Sequence, residues 1–368
     1  MSKYFNNLNQ QIYNSKLLIN DSLLKVNQNI LNLFNYQNSN SNHFSKIIFN
    51  YLQNNSGKQL RPLLLLLTYN AIFNQQTQNL NQNNQNDLIN LASFVELIHI
   101  ASILHDDVLD HAEFRRSQKT MHQSLGNKFT ILAGDLIYSK AFKLIANLSQ
   151  NQKINCMLTD TINCMVEGEI MQYLEKYNFA ISEDKYLKII TAKTAKLFST
   201  ITQLPALLTT KHYKNKYIQI LDLINYLTTF GINLGIAYQL LNDLEDYYKN
   251  GEDILNGIIT LPVIFVLNKL NPAINQKIIN IIKQQVKLNP VKQQQQLEIL
   301  RNIILTNGGF NYTVDLANNY LTKGIQAMDI LQHSTYKEAI LNLLKSCLIE
   351  KNLTSNLSYK TIVLQDKS

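Results

Sequence analysis

The chain is poor in the residues that interrupt helices or cross-link a fold. Its 368 residues include 11 glycines, 5 prolines, 3 cysteines and no tryptophan. Three cysteines exclude a disulfide framework and form no metal-binding spacing, which favours a reducing compartment. Cys156 and Cys164 lie eight residues apart, so we predict that both occupy one buried helix face. Because glycine, proline and alternating strand patterns are scarce, the sequence predicts an all-α protein of many long helices.

Long hydrophobic runs and basic tracts are also missing. The strongest apolar run, 63–67, is too short to cross a bilayer, and segment 91–104 is interrupted by Glu96 and His99. We therefore predict no membrane-spanning helix. The N-terminus has neither the apolar core of a secretion signal nor the arginine-rich pattern of a transit peptide. The net charge of +8 suits an anionic ligand or peripheral contact with a membrane, but its dispersed lysines do not indicate nucleic-acid binding.

No linker rich in proline, glycine or serine divides the chain. We predict one all-α domain over residues 1–360, followed by a short tail, 361–368. The Asn/Gln-rich tract 74–86 is low in complexity and is predicted to be a solvated loop between helices.

Acidic side chains cluster although only 16% of the residues are charged. The segment HDDVLD places Asp106 and Asp110 four residues apart, on one face of a helix. Two carboxylates at this spacing suit Mg²⁺, which combines carboxylate oxygens with those of a phosphate. An isolated pair is more often a solvated charged face, so the metal interpretation depends on the rest of the pattern.

A second set of polar side chains interrupts the apolar run 230–244 and the residues after it. Gln239, Asp243 and Asp246 recur there at helical spacing. Polar groups within apolar helices cost free energy unless a partner or a ligand satisfies them. Two such helices packed together would line a central cavity with carboxylates.

Arginine is rare, and its placement indicates phosphate binding. The chain has 34 lysines and arginines in total, but only four are arginines, and three of these are Arg61, Arg115 and Arg116. The planar guanidinium binds phosphate oxygens in a two-point geometry that lysine does not reproduce. Codon bias alone could scatter four arginines anywhere, so this pattern supports phosphate binding only together with the acidic clusters.

Seven motifs in order, over roughly residues 58–348, resemble those of the trans-isoprenyl diphosphate synthases. The likeness is greatest to the long-chain polyprenyl synthases of the mitochondrial hexaprenyl and solanesyl type, which make quinone side chains. The motifs are GKQLRP (57–62), ELIHIASILHDDVLD (96–110), RRSQKTMHQSLGNKFTILAGD (115–135), VEGEIMQ (166–172), KTAKLF (193–198), GIAYQLLNDLEDY (235–247) and GIITLPVIF (257–265). Any one would be a weak signal, but their order makes chance an inadequate explanation.

The resemblance implies the isoprenoid synthase fold and a Mg²⁺-dependent transfer of an allylic group to isopentenyl diphosphate. The implied Mg²⁺ ligands are Asp106, Asp110, Asp243 and Asp246. The implied contacts to the allylic diphosphate are Arg115, Lys193, Thr194 and Gln239. The implied contacts to isopentenyl diphosphate are Lys58, Arg61, His99 and Arg116. The implied catalytic set is Asp106, Asp110, Arg115 and Lys193.

Each of these positions has an ordinary structural interpretation when it is taken alone. His99 on an apolar face would be a core histidine, and Lys58 would be a surface residue. Lys193 and Thr194 would be an ordinary helical pair. The order of the motifs is what favours the functional interpretation.

The resemblance also indicates the length of the product. The growing chain is expected to run from Asp106 along its own helix, past Ala101 and Ser102, where short-chain members carry an aromatic ring. Two small side chains leave this path open, and Leu97 and Ile98 would continue it as apolar surface. The sequence therefore predicts a long product.

The chain departs from the family pattern in three places. Asn242 stands where the second acidic motif usually begins with aspartate, so one charge is lost. Ser117 stands in place of a glycine. The loop after Asp246 reaches Gly257 early and lacks a Gly–Lys pair that touches the allylic diphosphate, for which Lys249 is a possible substitute.

Two other functions stay open on these residues. A terpene cyclase also has an aspartate-rich helix, but its second metal motif needs Ser or Thr at 246 and Glu at 250, where this chain has Asp246 and Asn250. The altered second motif also fits a non-catalytic or weakly active partner subunit of a heteromeric synthase. The resemblance implies a homodimer or a heteromer with a homologous subunit. It further implies a role in making the ubiquinone side chain and a mitochondrial location, although a cytoplasmic location fits the N-terminus equally well.

Overall fold

Packed α-helices make up most of the protein in the computed structural model, which describes residues 2–35, 43–54, 57–73, 82–115, 118–146, 148, 152–208, 217–249, 251–285 and 289–348. The helices are α1 (Ser2–Leu18), α2 (Asn20–Asn32), α3 (His43–Asn54), α4 (Leu60–Phe73), α5 (Gln82–Leu109), α6 (Met121–Leu125), α7 (Asn127–Ala146), α8 (Gln152–Leu174), α9 (Glu183–Ile190), α10 (Lys196–Leu208), α11 (Tyr217–Tyr248), α12 (Glu252–Leu255), α13 (Leu261–Lys269), α14 (Pro272–Gln284), α15 (Pro290–Thr306), α16 (Gly309–Ala327) and α17 (Thr335–Cys347). A π-helical turn, Thr191–Ala195, separates α9 from α10, and a 3₁₀ turn, Met328–Ile330, follows α16. Within the described ranges, the strands are two short antiparallel partners, β1 (Phe114–Arg115) and β2 (Gln118–Lys119). The predicted all-α fold class is confirmed.

The two helices that carry the acidic motifs, α5 and α11, lie in the core. α5 packs against α7, and α11 packs against α10 and α16. By length and composition alone, two helical segments are apolar enough to span a membrane, namely Gln85–Leu109 and Ile220–Tyr248. The sequence analysis predicted no such segment. However, 72% and 50% of their apolar windows are buried inside the protein. A helix that is apolar on most sides is typical of a protein core, so this burial accounts for their composition.

Two local predictions are wrong. α5 begins at Gln82, so residues 82–86 of the predicted Asn/Gln loop are helical, while 74–81 lie outside the described residues. The helix extends into these polar residues because the buried apolar residues that follow, such as Leu88 and Leu91, anchor its first turns. Cys156 and Cys164 share α8, but Cys156 is exposed and Cys164 is only partly buried. The predicted tail 361–368 lies outside the described residues, and the single-domain organisation stays a prediction.

Close backbone contacts fix the π-helical turn against two neighbouring helices. A Cβ atom at Gly168 of α8 would lie 2.5 Å from the amide nitrogen of Lys193 and 2.9 Å from its Cα. A Cβ atom at Gly235 of α11 would overlap the Cα of Ala195. Only glycine permits such contacts without a backbone shift. A π-helical turn is frequent at functional sites, and here it holds Lys193 and Thr194 between α8 and α11.

Candidate active site

A cleft of about 420 Å³ opens between α5, α7, α8, α11 and the π-helical turn. Two smaller pockets of about 70 Å³ each share lining residues with it, one around Lys58 and one around Asp110 and Asp243. The predicted site residues that line the cleft itself are Arg61, His99, Ser102, Asp106, Arg115, Lys193, Thr194 and Gln239. The fold therefore brings together motifs that lie far apart in the sequence.

The carboxylate of Asp106 faces this cleft without a protein partner. It forms no hydrogen bond or ion pair with any residue that the structure describes. Burial raises its pKa to about 7; Glu169 and Asp110 add to the rise, and Lys193 opposes it. A buried carboxylate beside other carboxylates is stabilised by a bound cation, so Asp106 is suited to hold one.

The guanidinium of Arg115 is held by Asp107, which the sequence analysis did not assign. Nη2 of Arg115 lies 2.7 Å from Oδ1 of Asp107, and Nε donates a hydrogen bond to the same oxygen at 2.9 Å. Asp107 is only 1% exposed; burial raises its pKa, and Arg115 opposes the rise. Arg115 is thereby fixed where it lines both the cleft and the Lys58 pocket. An aspartate in an apolar helix with an arginine eight residues later is the sequence signal for this pair.

Lys193 has a carboxylate partner from another motif. Its Nζ lies 2.5 Å from Oε2 of Glu169 on α8, a second residue that the sequence analysis did not assign. Burial lowers the pKa of Lys193, but the charges of Asp106 and Glu169 raise it more, so the ammonium stays protonated. Lys193 therefore supplies a fixed positive charge to the cleft.

A hydrogen-bond network orients the second acidic motif. Asp243 is 3% exposed and accepts hydrogen bonds from the Tyr186 hydroxyl and, at 2.7 Å, from Nε2 of Gln239. Thr194 in turn donates to Oε1 of Gln239 at 2.8 Å. Burial raises the pKa of Asp243 to about 7, and these two donors oppose the rise. Hydrogen bonds thus connect Thr194, Gln239 and Asp243 as one unit.

Asp246 is used differently from Asp243. Its two oxygens accept hydrogen bonds from the backbone N–H groups of Glu252 and Asp253, at 2.9 and 3.0 Å, and so cap the short helix α12. It does not line any of the three pockets, and its role as a metal ligand stays a prediction. Asp253, which the sequence analysis did not assign, lines the pocket with Asp110 and Asp243, and burial raises its pKa well above the ordinary value.

Lys249 does not take the place of the missing Gly–Lys pair. Its side chain is 65% exposed and is ion-paired with Glu245, one turn earlier on the same helix. It lines none of the three pockets. The structure therefore gives no support to Lys249 as the substitute that the sequence left open, because the chain continues from the end of α11 into the cap of α12 and leaves this lysine on the surface.

The residues predicted to hold isopentenyl diphosphate gather in the Lys58 pocket. Lys58, Arg61 and His99 line it together, and Arg61 and His99 also reach the cleft. The guanidinium of Arg61 lies over the ring of Phe198, 5.3 Å from its centroid, and burial lowers its pKa. Its Nε is buried and has no hydrogen-bond partner among the described residues, as expected for a group that binds an anion. Arg116 lies outside the described residues.

Only one of the two predicted chain-length residues faces the cleft. Ser102 lines it, whereas Ala101 is fully buried and does not. At about 100° per residue, position 101 points roughly 140° away from position 106, and position 102 points only about 40° away. Leu97 and Ile98 are also fully buried in the core and do not line the cleft, so the apolar path along them and the chain-length roles of Ala101 and Ser102 stay predictions. The apolar residues beside the cleft are instead Ile103, Leu109, Met165, Val166 and Ile170.

The carboxylates of Asp106 and Asp110 are better placed to bind a divalent cation than those of Asp243 and Asp246 on α11. Among the described residues, no three His, Cys, Asp or Glu side chains already converge on one point. Asp106 has no hydrogen-bond or ion-pair partner among the described residues, and Asp110 lies one turn later, just past the end of α5, so this end of the helix offers two carboxylates. On α11, the Asp243 oxygens already accept two hydrogen bonds, and Asp246 caps α12.

Comparisons with known proteins give a family match and a shared fold. The family model described as polyprenyl synthetase matches residues 42–300. An octaprenyl diphosphate synthase of Haemophilus influenzae is 31% identical over 335 residues, which are 89% of this chain and 93% of that protein. The corresponding protein of Escherichia coli is 28% identical over 304 residues, 80% of this chain and 86% of its own. A polyprenyl synthase from Caulobacter crescentus, solved with calcium and isoprenyl diphosphate, has a TM-score of 0.79 at 24% identity and covers 92% of this chain and 98% of its own. This structural likeness shows a shared fold.

Proposed function

The chain belongs to the polyprenyl synthetase family and is a polyprenyl diphosphate synthase, and from this premise we propose how it works and what it makes. It adds isopentenyl diphosphate repeatedly to an allylic diphosphate and depends on Mg²⁺. The observation that carries this proposal is the cleft in which Asp106, without a protein partner, faces the cations Arg115 and Lys193. The relative solved with calcium and isoprenyl diphosphate supports a divalent cation in such a cleft.

Asp106 of α5 and Asp110, just past its end, hold Mg²⁺, and Asp243 and Asp246 of α11 are the proposed ligands from the other side. When bound, the ion neutralises the charge that develops on the departing diphosphate. Hydrogen bonds from the side chains of Tyr186 and Gln239 orient the Asp243 carboxylate. Asn242 also lines the cleft and offers an amide oxygen in place of a carboxylate.

The cationic side chains divide between the two substrates. Arg115 and Lys193 bind the allylic diphosphate, and each is held in place by its own carboxylate. Thr194 and Gln239, which also line the cleft, add polar contacts. These groups stabilise the diphosphate as the allylic C–O bond breaks, because fixed charges in a cleft with little water act more strongly than in solution.

Isopentenyl diphosphate binds in the neighbouring Lys58 pocket. Lys58, Arg61 and His99 hold its diphosphate, and Arg116 is the proposed fourth contact. Because Arg61 and His99 line both spaces, the alkene lies next to the allylic group. No protein nucleophile is required, since the alkene attacks the allylic cation and the released pyrophosphate accepts the proton.

Product length should respond to the size of residue 102. Ser102→Phe places a ring in the cleft one turn before Asp106, so we expect shorter products than the parent makes. Ala101→Phe instead overfills a fully buried position and should lower the free energy of unfolding by about 1–3 kcal/mol. Chromatography of labelled products measures the first effect, and urea titration measures the second. An unchanged product distribution in Ser102→Phe would show that the growing chain does not pass this residue.

A purified chain incubated with farnesyl diphosphate and labelled isopentenyl diphosphate tests the proposed function. A long labelled product that disappears with EDTA is the expected result. The second candidate function, a non-catalytic or weakly active partner subunit, is favoured by Asn242 and by the capping role of Asp246. It predicts no product from the chain alone and activity after a homologous subunit is added.

We also propose a setting for the enzyme. Its product supplies the side chain of ubiquinone, and the enzyme works in the mitochondrion as a homodimer or as a heteromer with a homologous subunit. The support is the likeness to long-chain synthases. A tagged protein found throughout the cytoplasm would argue against the location, and light scattering of the purified chain would measure its assembly.

A further inference from the structure

The small pocket around Asp110 and Asp243 adjoins the cleft through Lys193 and Gln239 and forms its acidic end. This acidic end has an excess of negative charge. The pocket there is lined by one ammonium, that of Lys193, which already pairs with Glu169. A diphosphate group that reached this end would meet carboxylates of like charge and little to balance them. The carboxylates that line the pocket are Asp110, Glu175, Asp243 and Asp253.

A second ammonium, that of Lys176, reaches the same group of carboxylates from outside the motifs. Its Nζ lies 3.4 Å from Oδ1 of Asp110, and its side chain is only 21% exposed. A tight charge-assisted hydrogen bond measures about 2.7–2.9 Å, so this contact is loose. Lys176 is therefore close to a predicted metal ligand without itself lining the pocket, and its ammonium also lies over the Tyr173 ring, 5.6 Å from the centroid.

The turn that carries Lys176 is fixed by the loop that follows the second acidic motif. Tyr177, the next residue, has a left-handed backbone (φ +58°), and its N–H donates to the carbonyl of Gly257 at 2.8 Å. Gly257 is itself left-handed (φ +74°), and a Cβ atom there would overlap the Tyr177 ring. The two loops are thus packed together, and Lys249, the lysine described between Asp246 and Gly257, points elsewhere.

We propose that Lys176 binds the diphosphate at the acidic end of the cleft. Its ammonium pairs with Asp110 and moves to a phosphate oxygen once that carboxylate ligates a cation. This inference rests on the proposed function and adds to it a binding residue that lies outside the seven motifs. The proposal also accounts for the shortened loop after Asp246. Lys176, next to Tyr177, supplies the positive charge that the missing Gly–Lys pair does not.

Calorimetric titration with inorganic pyrophosphate in excess MgCl₂ tests this role. We expect Lys176→Ala to weaken pyrophosphate binding about tenfold, the scale of one hydrogen bond to a charged group. Lys176→Gln, which keeps much of the stem, should show the same loss, and Lys176→Arg should keep most of the affinity. Lys185→Ala is the matched control, because Lys185 is more exposed, at 39%, and pairs at 3.6 Å with Glu175, which is not a predicted metal ligand. Unchanged binding in Lys176→Ala, or an equal loss in Lys185→Ala, would overturn the proposal.

Binding of Mn²⁺ alone, followed by electron paramagnetic resonance, separates this role from a structural one. Lys176→Ala should bind Mn²⁺ as tightly as the parent or more tightly, because Asp110 loses a competing ammonium. Weaker Mn²⁺ binding would show that the substitution damages the site, and would count against a direct contact with diphosphate. A parent chain that binds pyrophosphate but forms no product alone or with a homologous subunit contradicts the proposed function only. A parent that forms product, with a Lys176→Ala variant that binds pyrophosphate normally, contradicts the role of Lys176 only.

Discussion

Replacing Asp106 by alanine should reduce prenyl transfer by about a hundredfold or more and leave the protein folded. The substitution removes the carboxylate that faces the cleft, and with it a proposed ligand of Mg²⁺. Because this carboxylate has no partner among the described residues, its loss leaves no buried donor unsatisfied there. Incorporation of labelled isopentenyl diphosphate measures the activity, and circular dichroism with a melting curve checks the fold.

Asp135→Ala provides the control for this substitution. Asp135 lies on α7 with its side chain 62% exposed and does not line the cleft, so its variant should keep the activity of the parent. Full activity in Asp106→Ala, or in the parent with EDTA, would refute the metal-dependent mechanism.

Like Asp243, whose pKa burial also raises to about 7, Asp106 should make the stability of the metal-free chain fall as the pH rises. Its pKa is raised from 3.8 to about 7, mainly by burial, so the folded protein keeps a proton that the unfolded chain has already lost. The free energy of unfolding therefore falls as the pH rises from about 4 through 7. Asp106→Asn removes this term and should melt at a temperature equal to or above that of the parent at pH 8. A lower melting temperature there would show that the carboxylate supports the fold.

Replacing Gly168 by alanine should reduce both stability and activity. The added Cβ would lie 2.5 Å from the backbone nitrogen of Lys193, so α8 or the π-helical turn must shift. We expect the free energy of unfolding to fall by about 1–3 kcal/mol after the small gain in helix propensity. The displaced Lys193 should lower activity at least about tenfold, because small misplacements of a catalytic group are costly.

Gly324→Ala is the matched control for this prediction. Gly324 also lies within a helix, α16, but a Cβ there would have its nearest contact at 3.5 Å, which is ordinary packing. Alanine should therefore stabilise that helix by up to about 1 kcal/mol, with activity unchanged. Urea titration of both variants gives the comparison. If Gly168→Ala matched Gly324→Ala in stability and activity, the contact with Lys193 would not constrain the site.

Much of the site could be predicted from the sequence because its chemistry is local. The four-residue spacing of Asp106 and Asp110 fixes their shared helix face, and burial in α5 makes that spacing meaningful. Ala101 lies in the core, because a five-residue spacing turns its side chain to the far side of the helix from Asp106, and its chain-length role stays a prediction. For Lys249, proximity in sequence to the second motif gave no information on where the end of α11 points.

By itself, the sequence determined the helical class, the family and the residue types of the site, because periodicity and motif order depend only on the order of residues along the chain. Only the tertiary structure decided which charges meet. The pairs Arg115 with Asp107 and Lys193 with Glu169 each join different motifs, and Asp246 is turned into a helix cap. Lys176 reaches Asp110 across 66 positions of the chain. Such contacts depend on how closely helices approach, which glycines such as Gly168 set, and spacing within a single helix does not contain that information.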